Sequence, residues 1–196
     1  RMLAESVEPN DTFDEWTILL RQGVTFHDGT DLTAEVVKNN LDAYRGAYEG
    51  RSSLLFLFVL DHIDTVEATD ASTVKITTKK PWPALPSFLF SSGRLGIMAQ
   101  AQLDNADNCD KDLIGTGPFK LKEWKLNDHF TAVKNPDYWQ KDADGTQLPY
   151  LDEIEYRPVP DTDSRVEGVQ TGQFDMIHTN GGEAVSQLQP LADSGT

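Results

Sequence analysis

The stretch that decides the fold of this 196-residue chain is Leu20-Arg21-Gln22-Gly23-Val24-Thr25-Phe26-His27-Asp28-Gly29-Thr30. Apolar residues alternate with others through residues 16–20, and the β-rich residues 24–26 follow the turn at Gln22-Gly23. We therefore predict a short strand pair here, followed by a turn at the dipeptide Asp28-Gly29.

A helix is predicted directly after this stretch. Thr33 occupies the N-cap position, and Glu35 lies in the first turn, where a negative charge is favoured. Four large apolar side chains then recur at helical spacing: Val37, Leu41, Tyr44 and Tyr48. The pattern predicts an amphipathic helix with one buried stripe.

Short β-rich runs and prolines organise the rest of the first half. Residues 54–60 form an apolar run that periodicity allows to be either a short buried helix or a strand. Residues 63–68 and 73–77 predict a hairpin. Three prolines within residues 81–86 exclude a central strand, so we expect a short helical piece around residues 87–90.

The second half predicts a further hairpin and a βαβ unit. The hairpin falls within residues 119–133, and a strand is expected within residues 149–157. Asp161 or Thr162 can cap a helix, and residues 174–177 are again strand-like. Strand, helix and strand in this order predict a βαβ unit.

The overall pattern predicts a mixed α/β (α+β) architecture. No internal repeat is visible, which argues against a solenoid. Residues 99–112 are polar and irregular, as is typical of a domain boundary.

Composition excludes several classes of partner. The chain has 38% hydrophobic residues, a mean hydropathy of −0.46 and a formal net charge of −15. Lys and Arg are not clustered, so we expect neither nucleic acid nor an anionic membrane surface as a partner. No apolar run approaches the roughly 20 residues of a transmembrane helix. Residues 1–6 resemble neither a signal peptide nor a lipid-attachment site, so they look like the middle of a longer chain.

Two later phrases complete the main motif set. Gly115-Thr116-Gly117-Pro118-Phe119 and Asn135-Pro136-Asp137-Tyr138-Trp139 follow the stretch at residues 20–30 in fixed order. Together they resemble the family 5 extracellular solute-binding proteins, the peptide and nickel receptors of bacterial ABC importers. Three further segments are similar to that family: Leu32-Thr33-Ala34-Glu35, Leu148-Pro149-Tyr150-Leu151-Asp152-Glu153-Ile154 and Gln170-Thr171-Gly172-Gln173-Phe174-Asp175-Met176-Ile177.

The resemblance implies a type II periplasmic-binding-protein architecture. Members fold as two α/β lobes around a cleft, with a small accessory domain attached to the first lobe. By analogy, residues 1–112 form the small accessory α+β domain and residues 113–196 form part of the first lobe. The second lobe is absent from this sequence, so we expect a fragment of a receptor.

The resemblance also implies a role. The complete protein would be an extracytoplasmic, non-catalytic receptor in the periplasm or at the cell surface, lipid-anchored and monomeric. It would capture a small solute, with peptide as the first choice and a nickel chelate or an oligosaccharide as alternatives. It would then deliver the solute to an ABC permease in the membrane.

Five residues are candidates for ligand binding. Arg51 and Arg94 lie in segments that approach the cleft in similar receptors, and an arginine there can hold a carboxylate bidentately. Trp82, between two prolines, is the best surface aromatic candidate. Gly115 and Thr116 belong to a turn that borders the cleft or acts in hinge motion by the same analogy. The alternatives are a solvated surface arginine and an ordinary turn entering a strand.

No resident metal or cofactor is predicted. The four histidines show no metal-binding spacing, and the single cysteine has no partner in a metal pattern: His27, His62, His129, His178 and Cys109. His27 is assigned to the turn that contains it.

Two other functions stay open at this point. A secreted hydrolase acting on peptides or sugars would need a carboxylate pair such as Asp161 with Asp163, or Asp152 with Glu153. A ligand-sensing module of a regulator would use the same domain as the receptor. The missing termini of the complete protein would distinguish transport from regulation.

Overall fold

The computed structural model describes residues 2–52, 57–91, 95–105, 107, 111–179 and 181–194. The chain divides into two compact units. The first contains Arg1–Trp124 and Thr131–Ile154, and the second contains Lys125–Phe130 and Glu155–Thr196.

Strands and helices alternate irregularly along the described chain. In chain order they are β1 (Ala4–Pro9), β2 (Glu15–Leu20), α1 (Ala34–Tyr44), α2 (Leu57–Leu60), β3 (Ile63–Ala68), β4 (Thr73–Thr78), α3 (Leu85–Ser91), α4 (Gln100–Asp104), β5 (Phe119–Lys125), β6 (His129–Lys134), β7 (Glu153–Tyr156), α5 (Thr162–Gln170) and α6 (Gly182–Ser194).

An antiparallel sheet with the order β1-β2-β4-β3 forms the centre of the first unit. Trp16, Ile18 and Leu20 of β2 are buried on one face, while Thr17 and Leu19 point to the other. Helix α1 packs against β3 and β4. The main hydrophobic core lies between this helix and the sheet.

The predicted amphipathic helix is confirmed as α1. The side chain of Thr33 accepts a hydrogen bond from the Val36 N–H at 3.3 Å, as an N-cap should. Val37, Leu41 and Tyr44 are buried in the core. Tyr48, the last residue of the predicted stripe, lies outside the helix, which ends at Tyr44.

The strand pair predicted within residues 16–26 is wrong in its pairing. Strand β2 is hydrogen-bonded to β1 on one side and to β4 on the other, so residues 24–26 have no free edge to join. They form a closed loop instead, in which the Phe26 N–H donates to the Thr30 oxygen at 2.7 Å. Val24 and Phe26 still reach the core from this loop.

Two predictions for the middle of the chain are confirmed. The hairpin β3-β4 is confirmed, and α3, which begins at Leu85, confirms the helical piece predicted around residues 87–90. Residues 57–60 of the apolar run are helical, and residues 53–56 lie outside the described part. Helix α4 was not predicted, because its residues are mostly polar and it spans only five positions.

A three-stranded sheet with the order β5-β6-β7 confirms the second hairpin and the strand after it. Helix α5 begins where predicted, because an Asp161 oxygen accepts a hydrogen bond from the Ser164 N–H at 2.8 Å. Hydrogen bonds from Ser164 lower the pKa of Asp161, the bond from its side chain most.

The predicted βαβ unit is wrong because residues 174–177 form no strand. The chain turns back onto α5 after Gly172, and the N–H groups of Gln173 and Phe174 both donate to the Gly168 oxygen, at 2.8 and 3.0 Å. The Phe174 ring then lies directly on Gly168, where any Cβ would overlap it. Helix α6 packs against α5.

We predict that Gly168→Ala destabilises the protein although alanine is the better helix former. Propensity alone would stabilise α5 by about 1 kcal/mol. The overlap with Phe174 costs about 1–3 kcal/mol instead, and urea unfolding measures the balance. The same substitution in a Phe174→Ala background should be stabilising. A stabilising Gly168→Ala in the parent chain would contradict the close packing.

Candidate functional site

The candidate site is the turn at Gly115-Thr116-Gly117, which is held by the loop at His27. The His27 N–H donates to the Gly115 oxygen at 2.8 Å, and the Gly115 N–H donates to His27 Nδ1 at 3.3 Å. Because Nδ1 accepts, the ring proton is on Nε2, which donates to the Gly117 oxygen at 3.0 Å. One histidine thus fixes both ends of a turn that lies about 90 positions away.

The third sequence phrase reaches the same turn through Asn135. This buried side chain donates to the Gly117 oxygen at 3.1 Å, and its backbone N–H donates to the Pro118 oxygen at 2.8 Å. Its own oxygen accepts from the Asp137 N–H at 3.2 Å, which shapes the Asn-Pro-Asp turn. The Gly117 oxygen therefore accepts two hydrogen bonds, from His27 and Asn135.

Two charged side chains make further contacts between the segments that contain the three phrases. The Arg21 guanidinium lies 4.8 Å from the centre of the Trp139 ring, a cation–π contact. The Lys120 ammonium donates to the His27 oxygen at 3.4 Å and lies 3.8 Å from an Asp137 oxygen.

A turn directly after His27 fixes the position of this residue in the loop. An Asp28 oxygen accepts from the Thr30 N–H at 3.0 Å, and Gly29 has a φ of +85°, a conformation that favours glycine. The turn at Asp28-Gly29 thereby closes immediately after His27.

Arg51 is engaged elsewhere. Its guanidinium donates to the oxygens of Gln102 and Leu103 at the end of α4, with the Nε–Leu103 distance at 2.8 Å. A shallow hollow of about 390 Å³ surrounds it, lined by Tyr48, Glu49, Gly50, Arg51, Leu103 and Asp104. The Tyr48 hydroxyl donates to Asp104 at 2.6 Å, and this bond raises the pKa of Tyr48.

Trp82 is half-buried against the main core rather than fully exposed. Its ring lies 5.5 Å from the rings of both His62 and Phe88. Its backbone N–H donates to the Phe13 oxygen at 2.7 Å. Arg94, the remaining candidate, lies outside the described residues.

The structure therefore brings Gly115 and Thr116 together with two residues that the sequence did not identify as site residues. His27 was assigned only to its own turn, and Asn135 only to the Asn-Pro turn. The sequence places them in two recurring phrases, but the partner of each is far away along the chain.

Within the described ranges, no group of three or more His, Cys, Asp or Glu side chains is placed to hold a metal ion. The same part of the chain contains no helix long and apolar enough to cross a bilayer.

The model of the bacterial extracellular solute-binding proteins, family 5, matches residues 1–193 of the chain. The chain belongs to this family. The family model covers all three phrases that meet at the turn, so the turn lies within the shared region of these solute-binding proteins.

Three relatives show how far the likeness extends. The glutathione-binding protein GsiB of Shigella boydii is 36% identical over 172 residues, which cover 88% of this chain and 32% of that protein. The MoaA protein of Agrobacterium tumefaciens in complex with mannopinic acid is 30% identical, with a TM-score of 0.82, and the match covers 98% of this chain and 37% of that one. A nickel ABC transporter protein from Bacillus halodurans is 29% identical, with a TM-score of 0.76 and coverages of 95% and 35%.

These likenesses confirm the predicted fold class, a mixed α/β chain from a type II periplasmic binding protein. The chain spans about a third of the length of the curated relatives that it matches.

We predict that His27→Ala lowers the free energy of unfolding by about 2 kcal/mol, because two side-chain hydrogen bonds to the turn are lost at about 1 kcal/mol each. His27→Gln should recover part of the loss, since its amide can still donate to the Gly117 oxygen. Exposed His178 supplies the matched control, and its alanine variant should unfold within about 0.5 kcal/mol of the parent chain. Equal losses for His27→Ala and His178→Ala, measured by urea unfolding, would contradict the role of His27.

Proposed function

We propose that this chain is part of the extracytoplasmic substrate-binding component of an ABC importer, which captures a small solute and delivers it to the membrane permease. The observation that supports this function best is the closure of three separated family phrases on one turn. Five hydrogen bonds from His27, Gly115 and Asn135 fix that turn. A binding site gains affinity when its backbone is fixed before the ligand arrives.

The solute we propose is a peptide or a related small molecule. GsiB is named for glutathione, a tripeptide, and MoaA holds mannopinic acid. Both molecules carry carboxylate groups. A nickel chelate and an oligosaccharide stay as alternatives, and the nickel ABC transporter protein of Bacillus halodurans supports the first of these.

The proposal also assigns the two segments of this chain to parts of the complete protein. Residues 1–112 are assigned to the small accessory domain and residues 113–196 to part of the first lobe, with a second lobe supplied by chain outside this sequence. Solute binding would close the two lobes, and closure requires higher affinity for the closed state. The isolated 196-residue chain should therefore bind weakly or not at all.

We assign ligand contact first to Gly115 and Thr116. Arg51, Arg94 and Trp82 stay as weaker candidates. Arg51 already donates to the oxygens at the end of α4, which competes with a role in holding a ligand carboxylate.

We propose that the protein is not an enzyme, because one carboxylate of each pair suggested for a hydrolase has another role. Asp161 caps α5, and Glu153 forms an ion pair with Lys122 at 2.7 Å. The proposed location is the periplasm or the cell surface, with a lipid anchor, and the proposed state is a monomer.

We predict that the complete protein is stabilised by its solute in a thermal-shift screen of glutathione, short peptides, a nickel–histidine complex and oligosaccharides. A ligand at 100 times its Kd adds about 2.7 kcal/mol to the free energy of unfolding. The 196-residue chain is the control and should show no shift.

Micromolar binding by the isolated chain would show that the lobe assignment is wrong. A complete protein that responds to none of these solutes would favour the hydrolase or the sensor.

A further inference from the structure

Among the described residues, the hydrogen bonds of the Gly115-Thr116-Gly117 turn run to His27 and Asn135. The Gly115 oxygen accepts from the His27 N–H, and the Gly117 oxygen accepts from His27 and Asn135. The peptide bond between Gly115 and Thr116 is trans, because the cis bond of the described chain is at Leu148-Pro149. In a trans peptide the N–H points opposite to the preceding C=O, so the Thr116 N–H points away from His27.

Two donors of the turn are unused within the described part of the chain. Among the hydrogen bonds of the described residues, none uses the N–H of Thr116 or of Gly117. Both residues are half-buried, and Pro118 next to them has no N–H. Backbone N–H groups that have no partner within the protein are available to bind an anion.

The two glycines of the turn are not required by the fold. Neither has a φ in the left-handed region that favours glycine. A Cβ on Gly117 would meet no atom within 4 Å, and a Cβ on Gly115 would lie 3.9 Å from the His27 ring and 4.0 Å from the Gly117 nitrogen, both ordinary contacts. The missing side chain at Gly117 therefore leaves open space beside the unused N–H groups, as required for close approach of a ligand.

One cationic side chain is attached to the loop that holds the turn. The Lys120 ammonium is attached to the same loop through its bond to the His27 oxygen. The carboxylate of Asp137, 3.8 Å from this ammonium, is largely exposed, with a relative side-chain accessibility of 71%. Solvent therefore weakens its hold on the lysine charge.

We propose that the backbone N–H groups of Thr116 and Gly117 bind a carboxylate group of the transported solute. This inference rests on the proposed function and adds to it the atoms of contact and the chemistry of the group that they recognise. Gly117 serves by having no side chain, so that the carboxylate reaches the N–H groups directly. His27 and Asn135 act as positioning residues, because they fix the turn from behind.

The test compares two ligand pairs on the complete protein by calorimetric titration. Glutathione is compared with its diethyl ester, and L-alanyl-L-alanine with its C-terminal amide. In Gly117→Ala a methyl group would stand in the open space, and affinity for the free acid should fall about tenfold or more. The esterified or amidated ligand, which lacks the charge, should bind the variant and the parent protein equally.

Gly182→Ala is the matched control, since this exposed glycine lies outside the turn and a Cβ there would also meet no atom within 4 Å. It should keep the parent affinity, and both variants should melt close to the parent protein without ligand. The inference is overturned if Gly117→Ala binds the free acids normally, if it loses the blocked ligands equally, or if it melts several degrees lower without ligand. A parent protein that binds neither acid overturns this inference; failure of the wider solute screen as well would remove the proposed function.

Discussion

The closure of the His27 loop on the Gly115–Gly117 turn is the interaction on which the candidate site depends. Both ring nitrogens and the backbone N–H of His27 are used, and all three bonds go to one turn. Leaving the backbone polar groups of a half-buried turn without hydrogen-bond partners costs free energy. The ring meets this requirement on one side, and Asn135 adds a further donor there.

The segment that leads to this turn is fixed by polar side chains as well as by the core. Buried Asn40 of α1 donates to the Met98 oxygen at 2.9 Å and accepts from the Met98 N–H at 3.0 Å. Gln102 of α4 then accepts from the Ile114 N–H at 2.7 Å, directly before the turn. Because these partners are buried, each lost bond would leave an unsatisfied group. The turn is therefore supported from α1 through α4.

Elements that depend on neighbouring residues were predicted correctly from the sequence. Elements that depend on residues far along the chain were not. The Thr33 and Asp161 caps and the β3-β4 hairpin follow from neighbouring residues, and all three are confirmed. The partner of β2 depends on β1, which has no strong pattern of its own. The position of Phe174 depends on the absence of a side chain at Gly168. In the sequence, Gly168 is recognisable only as a residue that weakens a helix. Likewise, the sequence around His27 predicts the turn that contains it, but it does not indicate that His27 binds Gly115 and Gly117.

Amide hydrogen exchange at three consecutive residues tests this account most directly. The Gly115 N–H is bound to His27 and should exchange slowly, whereas the N–H groups of Thr116 and Gly117 have no partner among the described residues and should exchange fast. In His27→Ala the protection of Gly115 should be lost while the amides of β4 stay protected. Uniformly fast exchange across the turn of the parent protein, or protection of Gly115 that survives His27→Ala, would contradict the account.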